Sequence, residues 1–269
     1  MRIYNNVNAV SIQNTLNNTN NAMQSSLQKL STGLRINTAA DDAAGLSVSE
    51  GLRSQIRGSQ MAQRNANDGL AMLQIAEAGT SQITDSLQRM RELAVQASNG
   101  TYSNTDRGYI QQEYTALASE ITRISNATTY NGIALLSTTT AFSFQISSAS
   151  TGTSSTISFT PVNLSTGLSF GGVSSQSLAQ TAITNIDAVL ASVLSLRSTI
   201  GSTMNRLDAT VTNLGDAVTN LTSAESQIRD TDFASETTQY TRNQILTQSA
   251  TSMLSQANQL PSGVLKLLS

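Results

Sequence analysis

Two acid pairs, Asp41-Asp42 and Asp230/Asp232, come closest in this chain to residues whose type and spacing could do chemistry. Paired carboxylates could serve as a general acid and a general base. That work usually draws on a partner poised near neutral pH, and the 269 residues hold no histidine and no cysteine. Thiolate chemistry, the usual zinc sites and every nucleophilic triad based on histidine are thereby excluded. No metal constellation and no glycine-rich phosphate loop stands in their place. The aspartates are better read as helix caps, whose oxygens accept from unpaired backbone N–H groups. The expectation is a protein that is no enzyme and needs no cofactor or metal.

Composition narrows the partners. Only 12% of residues are charged, the net charge is −2, and lysine occurs only at Lys29 and Lys266. No basic stripe exists to meet a nucleic acid or an anionic membrane. Aromatics make up 4% and tryptophan is absent, which disfavours a large compact globule with a varied core. No basic segment followed by an apolar run opens the chain, so no cleaved signal peptide is expected. No stretch approaches ~18 apolar residues, so no membrane span is expected either. A cysteine-free chain is safe outside the cell, and export would use a route that reads no cleaved signal.

The chemistry that remains is packing. Ile186, Leu190, Val193, Ile200, Met204, Leu207, Val211, Leu214, Val218, Leu221 and Ile228 alternate in steps of four and three, with Arg197 and Glu225 in the two vacant slots. That pattern reads as a long coiled-coil-like helix. Leu52, Ile56, Leu70, Leu73, Ile83, Leu87 and Met90 share the face of a second, ending at Ser98-Asn99-Gly100 with glycine as a left-handed cap. A third starts near Asn104-Thr105-Asp106 and runs to Tyr130-Asn131-Gly132, striped by Ile110, Tyr114, Leu117, Ile121 and Ile124. The fold class is mainly α: an elongated coiled-coil-like bundle of three long helices of matched length. Leu70, Leu73, Leu87, Ile200, Leu207, Leu214 and Leu221 form its intramolecular core.

Residues 124–186 carry no charge, and 22 of the 45 residues in 137–181 are Ser or Thr. Phe142, Phe144 and Ile146, then Ile157 and Phe159, alternate with small polar residues. They predict one small β-hairpin lying on the bundle, with 166–177 as the return connection. The exposed Ser/Thr could carry O-linked sugar or be plain solvated loop.

Both ends are amphipathic and nearly free of charge, with none from Ile3 to Gln28 or from Asn243 to Leu265. Ile12, Leu16, Met23, Leu27, Leu30 and Leu34 stripe the first helix. Leu246, Ala250, Met253, Ala257, Leu260, Val264 and Leu267 stripe the last. Without ion pairs such helices are marginal alone, so the ends are expected to order only on assembly. Pro261 is expected to kink or interrupt the last helix.

Five ordered blocks carry a family likeness. Leu30-Ser31-Thr32-Gly33-Leu34-Arg35-Ile36-Asn37, continuing through Ala39-Ala40-Asp41-Asp42-Ala43-Ala44-Gly45-Leu46, resembles bacterial flagellin. So do Gln63-Arg64-Asn65-Ala66-Asn67-Asp68-Gly69 and Leu87-Gln88-Arg89-Met90-Arg91-Glu92-Leu93-Ala94-Val95-Gln96. Ala224-Glu225-Ser226-Gln227-Ile228-Arg229-Asp230-Thr231-Asp232 and Ser255-Gln256-Ala257-Asn258-Gln259-Leu260-Pro261 complete the set. The chain departs from the family at Thr237, Thr238 and Tyr240, where bulky apolar residues are usual.

The resemblance implies a subunit that polymerises into the helical flagellar filament. Residues 1–40 with 233–269 would form an inner terminal-helix assembly domain, and 41–136 with 180–232 a helical rod. Residues 137–179 would add a hairpin and exposed connection, without a separate outer domain. Self-assembly would rest on Ile12, Leu16, Met23, Leu27, Leu30, Leu246, Met253, Leu260, Val264 and Leu267. Implied partners are further copies of the chain, the flagellar type III export apparatus and flagellin chaperone, and the hook–filament junction and cap proteins. Arg89, Leu93 and Glu113 match positions contacted by the animal Toll-like receptor for flagellin; alternatively Arg89 pairs with Asp85 and the three serve subunit contacts. The rival readings are a hook–filament junction protein and a secreted coiled-coil protein.

Overall fold

The computed structural model describes residues 6–147, 155–165 and 169–267, with side chains as far as residue 259. The protein is mainly α. Its described elements run α1 (Val7–Thr32), α2 (Ala43–Ser98), α3 (Asn104–Ala127), β1 (Thr129–Tyr130), β2 (Ile133–Ala134), β3 (Phe142–Gln145), β4 (Thr156–Phe159), α4 (Gln176–Arg229) and α5 (Phe233–Leu267). They fall into two compact units, residues 55–219 and residues 1–54 with 220–269. The boundaries expected at 40/41 and 232/233 lie inside the second of these.

In the 55–219 unit, α2 buries Leu73, Ala76, Ile83, Leu87, Met90, Ala94 and Ala97. They meet Ile186, Val189, Val193, Leu196, Ile200 and Leu207 of α4 in one apolar core. The expected α4 stripe is half right. Positions 186, 193, 200 and 207 are buried, but Val189, Leu196 and Thr203 complete the seam, while Leu190 and Met204 are half-buried. Arg197 shows why: its guanidinium reaches Glu77 at 2.7 Å, which puts that slot at the edge of the seam. Arg91 pairs likewise with Asp187 at 2.7 Å, and the two ion pairs fix α2 and α4 as antiparallel.

Leu214 and Leu221, expected in the core, are only half-buried, and α4 has no buried residue past Leu207. A third layer of α3 and the hairpin covers the upper seam, ending where Asn65 Nδ2 donates to the Gln145 carbonyl at 3.2 Å. Two helices beyond that level cannot enclose a leucine. One window of α4 is long and apolar enough by average composition for a membrane span, although it contains no unbroken apolar run of that length. Its apolar residues form one face of this core.

α3 has 24 residues against 56 in α2 and 54 in α4, so the three helices are not matched in length. Its start is a capping box in which Ser103 and Asp106 bond reciprocally. It stops at Ala127, short of the expected Asn131-Gly132, because that pair is a hairpin turn. Asn131 (φ 50°) and Gly132 (φ 76°) both have positive φ, as a two-residue type I′ turn requires. The turn joins β1 to β2 with Tyr130 opposite Ile133. The expected hairpin is β3–β4, antiparallel, with Phe142 opposite Phe159 and Phe144 opposite Ile157. Its Ile157 and Phe159 are buried.

Gly100 is not the left-handed cap of α2. The buried Arg107 closes that helix instead: Nε donates to the Ala97 carbonyl at 2.7 Å and a terminal nitrogen to that of Asn99 at 2.9 Å. A guanidinium suits the negative end of a helix dipole.

In the other unit α1 packs against α5. α1 ends on Gly33, whose φ of 72° lets its N–H reach the Lys29 carbonyl at 2.9 Å. The two connections then bond to each other. Arg35 N–H donates to the Arg229 carbonyl at 2.6 Å and Thr231 N–H to that of Gly33 at 3.0 Å. Arg229 and Glu50 close the same level at 2.8 Å. α5 continues through Pro261 to Leu267 without the expected interruption. The carbonyl four residues before that proline, Ala257, accepts instead from Asn6 Nδ2 at 2.9 Å, so this acceptor keeps a partner.

Candidate assembly surfaces

The aspartates that opened the chemical question are structural. Asp41 accepts from the N–H groups of Thr38 and Asn37 at 2.9 and 3.1 Å and from the Thr38 hydroxyl at 3.0 Å. These bonds, Thr38's first, hold its carboxyl below the usual carboxylate range. Asp42 accepts from Gly45 N–H and Asp232 from Ala234 N–H, both at 2.9 Å, at the starts of α2 and α5. Asp230 accepts from the Ser226 hydroxyl at 2.6 Å. Asp41, Asp42 and Asp232 are thus bonded to the backbone they shape, and Asp230 to a hydroxyl one helical turn away.

The terminal helices divide their apolar residues between two faces. On α1, Ile12, Leu16, Met23 and Leu30 are half-buried toward α5, with Thr19 and Ser26 fully buried among them. Opposite them α5 turns in Tyr240, Asn243, Thr247, Ala250, Leu254 and Ala257, in steps of three and four. This seam is small and polar. Asn243 is 5% exposed with an unpartnered amide nitrogen, and the Thr247 hydroxyl lies 3.5 Å from Asn20 Oδ1.

Among the described residues, the apolar stripe expected on α5 therefore shares only Ala250 and Ala257 with the seam. Leu246 and Met253 point outward at 48% and 60% exposure, beside the exposed Ile245. Leu27 of α1 is also exposed, with Val7 and Val10. Shallow clefts lie on both outer faces. One is lined by Thr237, Thr238, Thr241, Arg242, Ile245 and Leu246, so the departures at 237 and 238 sit in its wall. The other is lined by Met23, Gln24, Leu27, Gln28, Ser31 and Thr32. Leu260, Val264 and Leu267 have side chains outside the described residues. Among the core residues named from the sequence, Leu73, Leu87, Ile200 and Leu207 are buried and Leu70 packs half-buried against them.

Of the three candidate receptor positions, Leu93 is 2% exposed and belongs to the core, on the inward face of α2. Arg89 and Glu113 are exposed and paired at 2.8 Å. Arg89 also reaches Glu92 at 3.0 Å, so its partners are these two glutamates rather than Asp85. The pair joins α2 to α3.

Residues 3–141 match the family described as the bacterial flagellin N-terminal helical region, and 183–268 match the bacterial flagellin C-terminal helical region. A flagellar filament 33 kDa core protein of Treponema phagedenis is 41% identical over 285 residues, spanning all of both chains. A flagellin of Bacillus subtilis is 39% identical over 307 residues, again across both chains in full. The crystal structure of Bacillus cereus flagellin superposes with a TM-score of 0.51 at 33% identity, covering 56% of this chain and 88% of that one.

Proposed function

The chain belongs to the bacterial flagellin family, and from that premise we propose how its surfaces build a polymer. It is a structural subunit that polymerises into the helical flagellar filament, the extracellular propeller of swimming motility. The observation that carries the mechanism is the outward apolar stripe of two helices that hold no charge over residues 3–28 and 243–265. Ile245, Leu246 and Met253 of one copy bury against the Met23–Leu27 face of another. Full burial of each such side chain stabilises by about 1.5–3 kcal/mol. Several together offset the entropy of fixing these side chains at the contact.

A heterologous contact of this kind need not close, so it propagates into a helical polymer. Residues 1–40 with 233–269 serve as the assembly domain. The flagellar type III apparatus exports the chain without a cleaved signal, with a flagellin chaperone inside the cell and junction and cap proteins at the growing structure. For the animal Toll-like receptor, the exposed Arg89–Glu113 pair is the surface available. Receptor-reporter cells given monomer test that contact, and silence at every dose rejects it.

Seeded polymerisation viewed by electron microscopy tests the mechanism. Wild-type chain should give regular tubes, while Leu246→Asp with Met253→Asp should stay monomeric with helical content retained in the 55–219 unit. Tubes from the double variant would refute the assignment of this face.

A further inference from the structure

We infer that Asn6 and Pro261 form a lock that sets the register of the terminal helix pair. In an α-helix the Ala257 carbonyl would accept from the N–H of residue 261, and proline has none. Asn6, 251 residues away in sequence, supplies the missing donor through Nδ2 at 2.9 Å. The same side chain is the N-cap of α1, its Oδ1 accepting from Ala9 N–H at 3.1 Å. Both ends of one amide are therefore engaged, one by the start of α1 and one by the carbonyl that proline frees. Ala257 is 6% exposed, so an unfilled carbonyl there would have little recourse to water.

The contact reads register because, before its last turn, α5 offers only the carbonyl that Pro261 frees. A pair shifted by one heptad toward the start of α5 sets Asn6 beside the Ala250 carbonyl, which already has an intrahelical donor, and a shift in either direction leaves Ala257 with none. The rest of the seam discriminates weakly between registers: its buried residues are Thr19, Ser26, Asn243 and Ala257. Asn6 is a positioning residue that acts through Pro261 on how α1 and α5 meet. Its bearing on polymerisation rests on the filament reading; its bearing on register does not.

A double-mutant cycle with two readouts tests the lock. Asn6→Ser keeps an N-cap oxygen but cannot reach Ala257, and Pro261→Ala returns the intrahelical donor. The first readout is disulfide formation in an Asn20→Cys, Thr247→Cys background, free of competing thiols because the chain has no cysteine. Asn6→Ser should slow cross-linking about fivefold, the ratio expected for one net hydrogen bond of roughly 1 kcal/mol. In the Pro261→Ala background the same substitution should change it less than twofold. The second readout is the critical concentration of seeded polymerisation, which should rise by a similar factor and be rescued in the same way. Equal effects of Asn6→Ser in both backgrounds, or none in either, overturn the lock. Failure of every variant and of wild type to polymerise, with the cross-linking pattern intact, overturns the filament reading and leaves the lock standing.

Discussion

Arg107→Met removes the cap of α2 while keeping an apolar stem of similar length. In the structure the 5%-exposed guanidinium donates to the Ala97 and Asn99 carbonyls and to Asn104 Oδ1, at 2.7, 2.9 and 3.0 Å. Methionine leaves the Ala97 carbonyl without a partner, at about 1–3 kcal/mol, and leaves the Asn99 carbonyl only a long 3.4 Å bond from the Tyr102 N–H, at about 1 kcal/mol more. Losing a cation at the C-terminal end of a helix costs about 0.3–1 kcal/mol more. Relief from desolvating the guanidinium offsets part of this, and a net loss of about 3 kcal/mol remains. For a unit of this size that corresponds to a fall in Tm of roughly 10 °C. Thermal unfolding of monomer, followed by far-ultraviolet circular dichroism, measures it. Arg107→Lys should fall between the two, since one ammonium cannot serve all three acceptors. An Arg107→Met midpoint within 2 °C of wild type would show that burying the charge costs as much as its bonds return, and would refute the argument.

Alkali should weaken the 55–219 unit through Tyr114, whose hydroxyl donates to the Phe170 carbonyl at 2.6 Å and whose burial pushes its pKa up to about 12. Between pH 10 and 12 the unfolded chain loses this proton and the folded chain keeps it, so stability falls with pH, by about 2–3 kcal/mol over the window. Tyr114→Phe should flatten that limb in pH-dependent urea titrations. Acid should act on the terminal unit, because Arg229 first and then Arg53 hold the Glu50 carboxyl below its usual 4.5. Below that value the unfolded state binds the proton first, so the contribution present above pH 4.5 disappears as pH falls; Glu50→Gln should reduce the acid dependence of its melting. Asn243→Leu should strengthen the α1–α5 pair by about 1–3 kcal/mol by removing an unpartnered buried amide. A filament that dissociates at a higher temperature than wild type would bear this out, and one that dissociates lower would contradict it.

Periodicity carried most of the 55–219 unit because its helices spend their apolar residues on a core within the same chain. Ile186, Val193, Ile200 and Leu207 could be placed that way, as could the alternation of Phe142, Phe144, Ile157 and Phe159. What escaped was any structure made by polar groups. Asn131-Gly132 passed for a helix end because positive φ at two successive residues is a turn signal with no apolar component. Arg107, inside a polar helical start, gave no sign that its guanidinium would displace Gly100 as the cap of α2.

The terminal helices pose a different problem. A seven-residue apolar repeat reports that a face is buried somewhere, without saying in which molecule. On α5 the repeat through Leu246 and Met253 points away from α1, while the face that meets α1 is built from Asn243, Thr247 and Ala250. Within one chain this arrangement is frustrated, since large side chains meet water while a buried amide lacks a partner. Both features make sense if the inner seam is deliberately weak and the outer stripe strong. The pair would then gain most of its stability only when a neighbour covers Leu246 and Met253. The α5 stripe that the sequence marks for assembly is thus left open to a neighbour in this unit, not spent on the pairing with α1.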